Sequence, residues 1–106
     1  MQIFYGSFAC ANDVFEGFAV PEKDRNGIEF IYAAYDQGDY EGDAHVIFTK
    51  DRALYEVNGS HCSCNGLEDC WKPEETSLVA LMFRPNVSEQ AKDNLKRKYR
   101  GLIAFM

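Results

Sequence analysis

The chain has 106 residues, 46% of them apolar and 14% aromatic, with 17 acidic side chains against 11 basic ones for a net charge of −6. That is enough apolar material for one domain with its own core and argues against disorder, and no apolar run reaches the roughly 18–20 residues of a membrane span. Residues 1–83 hold five Lys/Arg and fifteen Asp/Glu while residues 84–106 hold six and two, so the acidic body disfavours nucleic-acid phosphates and favours a basic partner surface.

The opening stretch MQIFYGSFACAND has no basic region ahead of its apolar residues. A signal peptide is therefore not expected, a cytoplasmic location is, and the four cysteines should be reduced. Asn12 is placed to cap a short helix with Asp13 in its first turn, Val14, Phe15 and Phe18 share one face, and Pro21 ends the run. EKDRNG reads as a solvated turn. Ile28 to Tyr35 is apolar at nearly every position, as in a strand buried on both faces. DQGDYEGD follows as an acidic link. Its Asp36, Asp39, Glu41 and Asp43 depart from the EF-hand spacing, so they read as a solvated loop and a candidate surface for a partner rather than a calcium site.

AHVIFTK-DR-ALYEVN is a hairpin that sets Phe48 opposite Tyr55 and Val46 opposite Val57 on one apolar face, with His45, Ile47, Leu54 and Glu56 on the other. Asp51-Arg52 is not the Asn-Gly pair of a two-residue type I′ turn, which predicts a longer turn. Next comes NGSHCSCNGLEDCW, from Asn58 to Trp71. Its Asn58-Gly59 and Asn65-Gly66 pairs read as turns requiring positive φ, and a hairpin about Asn65-Gly66 would set the cysteines on different sides. Packing of Cys62, Cys64 and Trp71 is the leading expectation, with Trp71 at the edge of the core. No cofactor is expected. The alternative is a structural zinc held by His61, Cys62, Cys64 and Cys70, against which stand the tight C-x-C and the missing second pair. A further alternative is a thiol enzyme using Cys62 or Cys64 with His45 as base and Asn58 orienting it.

KPEETSLVALMFRP reads as one helix with Pro73 early, Leu78, Leu81 and Met82 as its apolar stripe, and Pro85 ending it. Ser88 caps a last helix with the stripe Ala91, Leu95 and Tyr99 and a stop at Gly101. Its basic end (Lys92, Lys96, Arg97, Lys98, Arg100) suits the helix dipole. LIAF closes as a strand or packed tail. The order α-β-β-β-α-α predicts a single α+β domain over residues 1–106. Its antiparallel sheet would have about three to four strands, covered on one face by two to three helices.

From Tyr40 to Leu81, YEGDAHVIFTKDRALYEVNGSHCSCNGLEDCWKPEETSLVAL resembles a group of small bacteriophage-encoded proteins that share the string YEVxGSHCSCxGLExxWxPEE. The resemblance covers about two-fifths of the chain. His61, Cys62, Cys64 and Trp71 match it. The group has glutamine at the position of Cys70, which counts against that thiol as an obligatory ligand. The resemblance brings no catalytic residue with it. It implies a phage accessory protein in the cytoplasm of an infected bacterium. The expected function is non-enzymatic binding to a protein, such as a host enzyme or defence factor, through Trp71 and the acidic residues Asp36, Asp39, Glu41 and Asp43. Neither nucleic acid nor membrane is an expected partner.

Overall fold

The computed structural model describes residues 2–37, 41–62, 67 and 70–100. Among them the order is β1 (Phe4–Gly6), α1 (Ala11–Gly17), α2 (Glu22–Arg25), β2 (Glu29–Gln37), β3 (Glu41–Lys50), β4 (Ala53–Cys62), β5 (Glu74–Thr76), α3 (Leu78–Phe83) and α4 (Glu89–Lys98). The five strands form one sheet in sequence order. Strands β2 to β5 are antiparallel neighbours, and β1 runs parallel to β2. A parallel neighbour needs a crossover, and α1 and α2 supply it. The α+β class holds, but the sheet is mixed and larger than expected.

Both faces of the sheet are covered, not one. On the first face Phe8, Val14, Phe18, Val20 and Leu67 cover Phe30, Ala33, Tyr35, Val46, Phe48 and Val57. On the second, Leu81, Val87, Ala91 and Leu95 from α3, α4 and their connection cover Ile31, Tyr32, Ala34, Ile47 and Leu54. The pairing register shifts between Phe30 and Tyr32. One extra residue there puts Ile31 and Tyr32 into the same core while Phe30 and Ala33 serve the other. Burial of β2 on both faces is why this strand lacks the alternation of a half-exposed one.

The hairpin pairs as expected, Phe48 with Tyr55 and Val46 with Val57. Its turn is shorter than expected. Lys50 pairs with Ala53, and Asp51 and Arg52 both take positive φ, 52° and 69°. This is the two-residue I′-like conformation, imposed by the long paired strands on residues that do not favour it. Asn58-Gly59 is not a turn either. It continues β4, with Gly59 opposite Ala44 and packed beneath Phe18, Cys70 and Leu67.

The helices depart from the reading in three places. Cys10, not Asn12, precedes α1, and the Asp13 carboxylate accepts a hydrogen bond from the Ala9 N–H at 2.9 Å. EKDRNG contains the short helix α2. Glu74–Thr76 pairs with Glu56–Leu54 as an edge strand, so the helix after Pro73 starts only past Ser77, whose hydroxyl accepts from the Ala80 N–H. Ser88 caps α4 through the Ala91 N–H as expected, and Ala91 and Leu95 are fully buried. Asn94, also buried, donates to the carbonyls of Gln2 and Ile31 at 2.7 and 2.9 Å. No described helix is long and apolar enough to cross a membrane.

Candidate functional site

On the second face the pairing lays side chains out in rows across β2, β3 and β4: Tyr32, Ile47 and Glu56; then Ala34, His45 and Asn58; then Asp36, Asp43 and Ser60. In the first row Tyr32 and Ile47 lie in the core under α3 and α4, with Glu56 buried beside them. The polar rows continue beyond it and open into a groove of about 560 Å³. Its walls are these residues and, from the α3–α4 connection, Asn86 and Ser88. Asp36 and Asp43 are exposed and directly opposite each other. Like charges so placed repel, and nothing in strand packing asks for them. No lysine or arginine is among the described residues lining the groove.

A buried ionic cluster lies at the groove's inner end. Glu56 is 6% exposed. Its Oε2 lies 2.7 Å from His45 Nε2 and also accepts from the Arg84 guanidinium. Burial pushes the Glu56 carboxyl up, but hydrogen bonds and charge from Arg84 and His45 outweigh that and hold it below its usual range. The carboxylate therefore stays ionised and fixes the imidazole, against which the Tyr32 ring packs edge-on at 5.9 Å. Such a site can hold a polar or cationic group against oriented acceptors.

The structure brings together four residues singled out from sequence: Asp36, Asp43, His45 and Asn58. Asn58 is opposite His45, as the hairpin implied, but the carboxylate of Glu56 is what orients the ring. Cys62 is opposite Glu41. It is four strand positions from His45 in that register, about 13 Å at the rise of a β-strand. Cys64 and Asp39 lie outside the described residues, as does the hairpin about Asn65-Gly66, and for Glu41, His61 and Cys62 only the backbone is described. Cys70 directs its thiol to the Ser60 carbonyl at 3.5 Å. Among the described residues no three His, Cys, Asp or Glu are grouped to hold a metal.

Trp71 lies on the opposite face, remote from the groove. It stacks on Phe48 at 5.5 Å with the rings 10° from parallel, and packs against Phe18 at 5.3 Å. It closes the edge of the first core and borders a second cavity of about 500 Å³ with Tyr55, Asp24 and Lys50.

The roles of Glu56 and Arg84 went unread in the sequence. The hairpin register already made His45 and Glu56 diagonal neighbours on one face. The Arg84 contact spans 28 residues and has no local signal. Comparisons of the chain with family models, with curated proteins and with solved structures find no match.

Proposed function

We propose that this is a small accessory protein of the phage type suggested by its YEVNGSHCSC segment. It acts in the host cytoplasm by binding a protein partner rather than by catalysis, and the groove receives a basic side chain of that partner, a host enzyme or defence factor. The observation that carries this is the facing pair Asp36 and Asp43, set in a groove without a lining cation. Two carboxylates held at cross-strand distance cost stability in the free protein, and a bound cation relieves that cost. The surplus of acid over base in residues 1–83 adds long-range attraction for a basic segment. Trp71 serves in this reading as packing that keeps the hairpin rigid.

The test is a titration of ¹⁵N-labelled protein with a short lysine- and arginine-containing peptide. Shifts should concentrate at Asp36, Asp43, Asn58 and Ser60 and weaken with salt. The double variant Asp36→Asn/Asp43→Asn should keep its folded spectrum and lose the response. A response that survives in that variant would refute the groove as the binding site.

A further inference from the structure

We infer that the groove selects a guanidinium, the head group of arginine, over the ammonium of lysine; the inference rests on the binding reading above. It starts from the imidazole. A carboxylate accepts, so the proton in the His45–Glu56 contact sits on Nε2. In the neutral ring Nδ1 is then an acceptor, and among the described residues no group pairs with it. Glu56 Oε2 is already shared between His45 and Arg84, and the side chain is buried. What Glu56 does is hold the proton on Nε2, so that the ring, when neutral, offers the Nδ1 lone pair.

Along the groove, acceptors therefore follow one another: the carboxylates of Asp36 and Asp43, the hydroxyl of Ser60, and in the next row His45 Nδ1 and the carbonyl of Asn58. Ala34, beside His45 in its row, also lines the groove and contributes only a methyl group. Acceptors spread over two rows suit a flat cation whose five N–H donors point outward in a fixed plane. An ammonium is a compact point with three donors and reaches one row at a time. The geometry thus distinguishes the two basic side chains, although their charges are equal.

The experiment titrates labelled protein, at a pH where the His45 ring nitrogens report a neutral imidazole, separately with methylguanidinium chloride and methylammonium chloride, following backbone amides and those ring nitrogens. Methylguanidinium should half-saturate the groove at about five-fold lower concentration, the worth of roughly one added hydrogen bond, and the free ring should show the Nε2–H tautomer. Equal half-saturation, or an Nδ1–H tautomer, overturns the selection and leaves the binding reading standing. Absence of a response to either ion and to the basic peptide overturns both. Glu56→Gln, whose amide can donate to Nε2 and move the proton to Nδ1, should bring the two ions to parity in protein that retains its folded spectrum. Selectivity retained in that variant would overturn the positioning role given to Glu56.

Discussion

Glu56 shows how one residue combines a cost and a use. Burying a carboxylate is unfavourable, and only the two donors Arg84 and His45 make its ionised form the stable one here. Its folded pKa lies below the unfolded value, so its contribution is fully present above the unfolded glutamate value of about 4.3 and is lost as pH falls through the folded one. Acid unfolding followed by circular dichroism should therefore show a shallower stability loss below about pH 4.3 in Glu56→Gln than in the parent, with neutral-pH stability lower by about 2 kcal/mol. At Asp43 the signs reverse. Asp43→Asn removes a repulsion and should raise stability in urea by about 0.5 kcal/mol while weakening basic-peptide binding. Gly59 is a packing residue: a Cβ there would meet Phe18 Cε1 at 2.9 Å and Cys70 Cβ at 3.2 Å. Gly59→Ala should cost about 1–3 kcal/mol in the same urea experiment.

Among the elements, the hairpin was the most legible, because alternation on both arms admits only one register that pairs Phe48 with Tyr55. Its turn was misjudged for a physical reason. Ten-residue arms hold Asp51 and Arg52 at positive φ against their own preference. Replacing Asp51-Arg52 by Asn-Gly should then release strain and raise thermal stability by about 1 kcal/mol, measured at the unfolding midpoint. The segment after Pro73 misled differently. Glu74 and Glu75 suit a helix start as well as they suit an edge strand, and only the presence of β4 beside them settles the choice. Ser88, by contrast, was legible locally as a cap, and Ser77 does the same work for α3: each hydroxyl satisfies an N–H that the helix itself leaves free. Ser77 went unread because the acidic pair in front of it already looked like a first turn.

For the whole molecule, the main feature hidden in the sequence was the second covered face. β3 alternates Val46 and Phe48 with His45 and Ile47, which reads as one buried face and one mixed face. Both Val46 and Ile47 are 0% exposed. Ile47→Ala should accordingly cost about 2–4 kcal/mol in chemical denaturation, whereas a sheet open on that side would tolerate the change. β1 was illegible because three residues on an edge carry too little pattern, and its parallel pairing depends on a strand almost thirty positions away. The site was legible in its parts, Asp36, Asp43, His45 and Asn58, but not as a site, because Asn86 and Ser88 that help wall it and Arg84 that holds Glu56 come from much later in the sequence. The same separation has a consequence for how the protein is made. Asn94 clasps the carbonyls of Gln2 and Ile31, so the backbone just ahead of β1 is held by a side chain 92 positions later. The hairpin of β3 and β4 can form from its own stretch of chain, but β1 gains this lock only once α4 has been made and has packed.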